Sequence, residues 1–315
     1  MKALVQNGFG TIETMVAQEL PIPVIEKDMV LIQVKAISIN PVDVRTRAGS
    51  AMADHLKNFE PLILGWDISG VITKIGSEVS EFKVGDEVFG LINFLGHGKG
   101  YAQYVAARAD HIALKPANVT HEQAAAATLA ALTAWQLLKH YADVQPGESI
   151  IIQAASGGFG HYAVQIAKYL GADVTGISSV KNRNFILGLG ADRHIAYDDP
   201  NNVTAEPEAD IVVDAFSGDS LYNSLEKVKR GGRIISMLPF ISDEVKQLAL
   251  EKNVEIHYSL VHSSGPDMKS IADLLQKGSL KSHVSKVYPF EQMGEAHLAI
   301  EQGHTIGKII VNLIN

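Results

Sequence analysis

A glycine-rich loop between a predicted strand and a predicted helix is the part of this sequence best suited to bind an anion. The apolar run 150–154 predicts a buried strand, and 161–170 predicts an amphipathic helix. Between them stand Ala155, Ser156, Gly157, Gly158, Phe159 and Gly160. This is the pattern G-x-G-x-x-G with alanine first: Gly157 lets backbone approach a pyrophosphate, and Gly160 permits close packing of helix on strand. The helix start directs N–H groups at that anion, although a tight turn without a ligand is the alternative.

Strands and helices alternate on both sides of this loop, between residues 149 and 260. Each predicted strand is short and mostly apolar, and helix-like segments separate most of them. Such strands indicate a parallel sheet that is covered by helices on both faces. The six strands are predicted at 149–155, 173–178, 193–197, 210–214, 233–238 and 254–260. Their number and order are those of a doubly wound, Rossmann-type dinucleotide-binding fold.

The end of the second of these strands bears on which dinucleotide binds. Folds of this kind that select NAD usually carry an acid here, which binds the ribose 2′-OH. This sequence has no acid in the strand end, where Ser178 and Ser179 precede Lys181 and Arg183. Cations are unfavourable at a helix N-terminus, so a 2′-phosphate explains them better than simple solvation. One charge-assisted contact is worth roughly 1.5–3 kcal/mol, and the residues therefore favour NADPH.

The composition excludes several kinds of chemistry. The 315-residue chain has no cysteine, which excludes disulfides, iron–sulfur clusters, thiolate nucleophiles and cysteine-bound zinc. A net charge of −8 argues against a general nucleic-acid or anionic-membrane binder. There is no apolar stretch of 18 residues and no signal sequence before the first strand. We therefore expect a cytoplasmic protein that binds neither nucleic acid nor membranes.

The first third of the chain is typical of a β-rich domain. The runs 30–37, 70–76 and 86–90 are short and rich in β-branched residues, and glycine, proline and aspartate separate them. The length of the chain favours two domains. We therefore predict an α/β fold in which a doubly wound parallel sheet is joined to a second, mainly β domain.

Seven short segments spread over the whole chain resemble one family. Each is weak alone, but together they occur in order and at sensible spacings. The segments are Asn40-Pro41-Val42-Asp43, residues 64–70 (LGWDISG), residues 82–90 (FKVGDEVFG), Leu132-Thr133-Ala134-Trp135, the loop 155–160, Leu189-Gly190-Ala191-Asp192 and residues 303–308 (GHTIGK). The chain is similar to zinc-independent members of the medium-chain dehydrogenase/reductase superfamily, in the quinone oxidoreductase branch related to zeta-crystallin.

The resemblance implies a domain organisation and an assembly. Residues 1–120 and 263–315 would form a GroES-like catalytic domain, and residues 121–262 the Rossmann domain. Members of the family are usually dimeric or tetrameric, and we expect a homodimer that pairs through the edge strand 254–260.

The resemblance also bears on metals. The zinc enzymes of the superfamily carry a cysteine ligand where this chain has Asn40, and a histidine where it has Trp66. Neither residue can serve as the usual ligand, so we expect no metal site.

Four residues of the first domain are candidate catalytic residues by the same resemblance. Asn40 is the expected contact to the substrate carbonyl or oxyanion, with Arg45 as a second donor; a simple turn at Asn40 is the alternative. Asp43 would orient its neighbours or cap a short helix. Trp66 would form a flat wall for a ring-shaped acceptor, or pack as a buried tryptophan.

Four further residues are candidate cofactor contacts. Thr133 lies on the helix where the family contacts the cofactor, with helix packing as the alternative. Tyr197 would flank the 2′-phosphate, or is an edge-strand aromatic. Leu238 and Pro239 would border the nicotinamide, although apolar residues after a buried strand are common.

A metal-free reductase needs an acceptor that is easy to reduce. Quinones and α,β-unsaturated carbonyls qualify, because added hydride produces a delocalised oxyanion that a neutral donor can stabilise. We therefore predict hydride transfer from NADPH to a quinone. Reduction of an alkenal or enone double bond is the alternative. A second alternative is a low-turnover NADPH-binding protein with a structural or RNA-associated role.

Overall fold

The chain forms two units, each built around its own sheet. The structure is a computed structural model, and it describes residues 1–199 and 208–313. One unit comprises Met1–Leu132 and His262–Asn315, and the other comprises Thr133–Val261.

The first unit is mainly β, and its larger sheet gathers strands from both ends of the chain. Numbered along the chain, its strands are β1 (Lys2–Gln6), β2 (Met15–Glu19), β3 (Met29–Ile39), β4 (Asp67–Ile75), β5 (Glu87–Leu91), β6 (Tyr104–Arg108), β7 (Ile112–Leu114), β14 (Val284–Pro289) and β15 (Lys308–Asn312). In the described part of the chain, the larger sheet has seven strands in the order β14-β15-β3-β4-β5-β7, with β6 paired to β3, and β1 and β2 form a separate antiparallel pair. Because β15 pairs antiparallel with β3, the C-terminal segment completes this unit.

Several helices belong to this unit. They are α1 (Pro41–Arg47), α2 (Ala53–Leu56), α3 (His121–Ala126), α9 (Gly265–Gln276) and α10 (Met293–Glu301). Asn40 is the N-cap of α1 and has extended backbone, and Pro41 occupies the first helical position, where its missing N–H costs nothing.

The second unit contains the predicted parallel sheet. Its strands are β8 (Ser149–Ile152), β9 (Asp173–Ser178), β10 (Arg193–Ala196), β11 (Ala209–Asp214), β12 (Val228–Ser236) and β13 (Glu255–Tyr258). They lie in the order β10-β9-β8-β11-β12-β13, and every neighbouring pair is parallel. The helices between them are α5 (Gly160–Tyr169), α6 (Arg183–Gly188), α7 (Ser220–Lys227) and α8 (Asp243–Lys252). This strand order confirms the doubly wound fold.

Residues 123–139 are rich in alanine and leucine and lack glycine and proline, a composition that predicts one long helix, but the structure breaks this segment into separate elements. α3 ends at Ala126, α4 spans Leu129–Trp135, and a π-helical segment covers Gln136–Tyr141. The Thr128 hydroxyl donates to the Ala125 carbonyl at 2.7 Å, and the Leu129 N–H donates to the Asp67 carboxylate at 3.0 Å. The break therefore arises because a distant carboxylate takes an N–H that would otherwise continue the helix.

In the parts of the chain that the structure describes, no helix has both the length and the apolar character needed to cross a membrane.

Gly160 gives a direct test of the close approach of α5 to the preceding strand. A Cβ at this position would lie 2.2 Å from the Ala154 carbonyl oxygen, so Gly160→Ala should lower the free energy of unfolding by about 1–3 kcal/mol. Gly188→Ala is the matched control, because its Cβ would meet nothing within 4 Å. Urea unfolding should find Gly188→Ala within about 1 kcal/mol of wild type; equal stability of the two variants would contradict the packing described.

Candidate functional site

The sharp turn of the glycine-rich loop lies at Ala154, one residue before the motif 155–160. Ala154 has a positive φ of 46°, and its carbonyl accepts from the Gly157 N–H at 2.9 Å. Ala155 is fully buried, and its N–H donates to the Ile177 carbonyl at 3.0 Å. Since Ala154 makes the sharp turn, the first motif position needs no glycine. Ala155 therefore packs the loop against β9 and presents no side chain to a ligand.

The rest of the loop leaves several backbone donors unused. Among the described residues, the N–H groups of Ser156, Gly158, Phe159 and Gly160 donate no hydrogen bond. Ser156, Gly158 and Phe159 are half-buried, so these donors stand at the loop surface at the start of α5. Unpaired N–H groups at a helix start form a site for a phosphate or pyrophosphate. This cradle fits a dinucleotide.

Asn182 is a residue of this region that sequence reasoning missed. Its side chain is buried, and its Nδ2 donates to Ser156 Oγ at 3.0 Å. This hydrogen bond ties the glycine-rich loop to the turn after β9. A polar residue 26 positions away gives no local signal of such a link, so it could be found only in the structure.

The two serines at the end of β9 are already engaged. Ser178 is 2% exposed, and its Oγ lies 2.8 Å from His194 Nε2. Ser179 is 9% exposed, and its Oγ donates to the Asp198 carboxylate at 2.5 Å. Both hydroxyls thus have internal partners, which disagrees with their expected role as open phosphate ligands.

The two cations after this strand are free. Lys181 and Arg183 are exposed, and neither side chain makes a hydrogen bond or an ion pair with the described residues. Tyr197 is 72% exposed, and its N–H donates to the Ser178 carbonyl at 3.2 Å, which places the residue beside the same strand end. Two unpaired cations and an exposed ring at the carboxyl edge of a parallel sheet suit a phosphorylated ribose and a purine.

The remaining candidate cofactor contacts are of mixed accessibility. Thr133 lies on α4 and is buried, which favours the helix-packing alternative. After β12, Leu238 is half-buried and Pro239 is exposed. The Leu238 carbonyl accepts from Ser236 Oγ at 2.7 Å, which fixes the turn at the end of this strand.

In the first unit, Asn40 lies between two buried charges. Its Nδ2 donates to the Asp67 carboxylate at 2.7 Å, and its Oδ1 accepts a hydrogen bond from the Lys308 ammonium. Lys308 also donates to the Ile39 carbonyl at 3.0 Å. Asn40 is 2% exposed. Because both ends of its amide are engaged below the surface, Asn40 positions these charges, and its expected contact with substrate is not supported.

Asp43 caps the short helix α1, which is the second of the two roles expected for it. Its carboxylate accepts from the Asn40 N–H at 2.7 Å, closing the first turn of α1. Burial, together with the neighbouring Asp67 carboxylate, raises the pKa of Asp43 to about 8. Burial also raises the pKa of Asp67 and lowers that of Lys308. Burial thus disfavours the charged form of each of these three groups.

Trp66 packs in the interior. It is 1% exposed, and its Nε1 donates to the Gly96 carbonyl at 2.8 Å. Its ring packs edge-to-face against the ring of Phe94, with the two ring centroids 5.4 Å apart. The burial corrects the expectation of a cleft wall, because a residue without exposed surface offers no face to an acceptor. Tryptophan suits both roles, so its type alone could not decide between them.

Arg45 is the exposed cation of α1. Its side chain makes no hydrogen bond or ion pair with the described residues. Arg47, two residues later, is buried, and it binds the Gly10 carbonyl and the Glu301 carboxylate. The sequence favoured Asn40 as the main donor to the substrate oxygen and Arg45 as the second. The structure reverses this ranking, because among the described residues Arg45 has donors without a partner, whereas both ends of the Asn40 amide are engaged.

The described residues do not fit a zinc ion. No group of three or more His, Asp or Glu side chains among them is arranged to hold a metal. Asn40 is bound to Lys308 and Asp67, and Trp66 has no lone pair for a cation.

The chain matches known protein families and individual relatives. Residues 26–117 match the family described as "Alcohol dehydrogenase GroES-like domain", and residues 189–311 match "Zinc-binding dehydrogenase". The quinone oxidoreductase of Sus scrofa is 31% identical over 99% of this chain and 98% of its own length. The NADPH-dependent alkenal/one oxidoreductase, chloroplastic, of Arabidopsis thaliana is 29% identical, over 99% of this chain and 79% of its length.

A solved structure agrees with these relatives over the whole chain. The quinone oxidoreductase from Coxiella burnetii superposes with a TM-score of 0.92, at 32% identity, covering 100% of this chain and 99% of that one. The protein therefore belongs to the medium-chain dehydrogenase/reductase superfamily of oxidoreductases, as the sequence motifs predicted. Within this superfamily, its homologues include quinone oxidoreductases.

Lys308 tests the buried cluster. Lys308→Met should lower the free energy of unfolding by about 3–5 kcal/mol, because it removes the cation that compensates a buried carboxylate. Lys277→Met removes the same charge from an exposed position and should change stability by less than about 0.5 kcal/mol. Chemical denaturation of both variants measures the difference, and similar stabilities would show that the cluster does not stabilise this unit.

Proposed function

We propose that this chain is an NADPH-dependent reductase that transfers hydride to a quinone without a metal ion. The observation that carries the proposal is that Lys181 and Arg183 have no hydrogen-bond or ion-pair partner among the described residues, in the same unit as the N–H groups of the loop 155–160 that are likewise without a partner there. A pyrophosphate and a 2′-phosphate need these two kinds of donor. The names of homologous quinone and NADPH-dependent reductases support the same conclusion.

Each part of the second unit has a binding role in this proposal. The N–H groups of residues 156–160 hold the pyrophosphate, and the start of α5 stabilises its charge. Lys181 and Arg183 bind the 2′-phosphate, and Tyr197 flanks it. Leu238 and Pro239 border the nicotinamide end.

The acceptor is polarised by the first unit. When bound, NADPH supplies a hydride to the acceptor. Arg45 donates hydrogen bonds to the acceptor oxygen and stabilises the negative charge that develops there. A quinone spreads this charge over its ring, so one cation suffices to stabilise it. A simple ketone keeps the charge on one oxygen and needs stronger polarisation, such as that of a metal ion. Asn40 acts indirectly, since it caps α1 and so fixes the helix that carries Arg45.

Reduction of an alkenal or enone is the second candidate, and the Arabidopsis relative favours it. The same polarisation by Arg45 serves both acceptors, because hydride addition to the β-carbon also gives a delocalised oxyanion. An acceptor panel separates the two candidates.

Arg45→Ala should lower kcat/KM for quinone reduction about 10- to 100-fold, because it removes a charge-assisted hydrogen bond. The measurement is NADPH oxidation with a quinone, an enone and a simple ketone. Arg108→Ala is the control, because Arg108 is an exposed arginine of the same unit that pairs with Asp28 and Asp110.

Wild type should reduce the quinone fastest and the ketone slowest, and chelators should leave the rates unchanged. Faster turnover of the enone would replace the quinone with the second candidate. NADPH binding without turnover of any acceptor would favour a structural or RNA-associated role.

The cofactor assignment is tested by Lys181→Ala combined with Arg183→Ala. The double variant should raise KM for NADPH at least tenfold and leave KM for NADH within about twofold, since only NADPH carries the 2′-phosphate. Lys246→Ala is the control, since it removes an exposed cation on α8. An equal effect on both cofactors would place the 2′-phosphate elsewhere.

We also propose that the protein forms a homodimer through β13. Among the described residues, β13 is the last strand of its sheet and pairs with β12 alone. Tyr258, at its end, and Leu260, just beyond it, are exposed. Tyr258→Lys with Leu260→Lys should convert the dimer to a monomer in analytical ultracentrifugation, because like charges would face each other across the edge. Leu187→Lys on α6 is the control, and an unchanged dimer in the double variant would exclude this edge.

A further inference from the structure

An acid stands at the end of β9 although no acid occurs in that part of the sequence. Asp198 follows β10, the neighbouring strand, and its carboxylate reaches across to the turn after β9. It accepts from Ser179 Oγ at 2.5 Å and from the Val180 N–H at 2.7 Å. These two hydrogen bonds fix the carboxylate beside the turn that carries Lys181.

The carboxylate is charged at neutral pH. The hydrogen bonds from Ser179 and from the Val180 N–H hold the pKa of Asp198 below its ordinary value, and the nearby charge of Lys181 contributes. Lys181 and Arg183 themselves make no ion pair with it among the described residues. The same strand end therefore presents two free cations and one fixed anion.

These opposite charges have opposite effects on the two nicotinamide cofactors. A carboxylate at the end of the second strand accepts a hydrogen bond from the 2′-OH of NADH, and it repels the 2′-phosphate of NADPH. The cations attract the 2′-phosphate and do little for a hydroxyl. Because Asp198 already accepts hydrogen bonds from the Ser179 hydroxyl and the Val180 N–H, these two donors are not available to the phosphate.

We propose that Asp198 is a specificity-determining residue that weakens the preference for NADPH and permits use of NADH. This inference rests on the proposed function, because it concerns the dinucleotide bound by the second unit. Lys181 and Arg183 favour NADPH, and Asp198 opposes them from the adjacent strand. The balance of the three charges sets the ratio of the two affinities.

Asp198→Asn is the central variant, because it removes the charge and keeps the size of the side chain and an acceptor oxygen. The Kd for NADPH should fall roughly threefold to tenfold, as expected for loss of one exposed repulsive charge. The Kd for NADH should rise by a similar factor. Titration of the intact protein with each dinucleotide measures both constants. The difference in Kd for NADPH between wild type and Asp198→Asn should be smaller at high salt, because salt screens exposed charges.

Two further variants separate this role from a purely structural one. Ser179→Ala removes one hydrogen bond to Asp198 and keeps the charge, so it should not tighten NADPH. Asp173→Asn removes an acid from the opposite end of β9 and should leave both constants within twofold.

The outcomes distinguish the failure of this inference from failure of the proposed function. If Asp198→Asn leaves the ratio of the two Kd values within twofold of wild type, or weakens both cofactors equally, Asp198 does not set specificity. In that case the loss of NADPH affinity in the variant lacking Lys181 and Arg183 would still support the proposed function. If that variant also binds NADPH as wild type does, the cofactor site itself is wrong.

Discussion

A neutral amide held between two buried charges is the interaction on which the first unit depends. Asn40 directs its Oδ1 to Lys308 on β15 and its Nδ2 to Asp67 on β4. The second oxygen of Asp67 accepts from the N–H of Leu129, the first residue of α4. A buried ion costs several kcal/mol unless it is fully hydrogen-bonded, so these segments must keep their mutual positions. One cluster thus joins the C-terminal strand to the centre of the sheet and begins a helix.

The same cluster sets the direction of α1 and hence of its two arginines. Asn40 is also the N-cap of this helix, and Asp43 closes its first turn. Residues two positions apart on a helix point to different faces. Arg47 therefore turns inward to Glu301, whereas Arg45 turns to solvent with its donors free. Asn40 therefore has a structural role, whereas the Arg45 side chain makes no hydrogen bond or ion pair with the described residues.

Local patterns were sufficient to predict much of this fold. The run of buried strands with helices between them predicted the order of the six-stranded sheet, because right-handed crossovers leave few topologies open. The loop 155–160 was predicted from glycine spacing. The cations Lys181 and Arg183 are unusual near a helix start, and the structure shows both exposed and without a partner among the described residues.

The features that sequence reasoning missed all depend on contacts between distant residues. The break before α4 arises because Asp67 binds Leu129, 62 positions away, and no propensity in the alanine-rich segment signals it. Asp198 reaches the end of β9 from the neighbouring strand, so a search for an acid within β9 could not find it. Asn40 and Trp66 have residue types that suit both a site and a core, and only burial distinguishes these roles.

The most direct test of the proposed reductase is a crystal structure of the protein with NADPH bound. The pyrophosphate oxygens should lie within hydrogen-bond distance of the N–H groups of residues 156–160. The 2′-phosphate should contact Lys181 and Arg183 at salt-bridge distance. A 2′-phosphate that contacts neither cation, or a dinucleotide bound away from the carboxyl edge of the parallel sheet, would contradict the assignment.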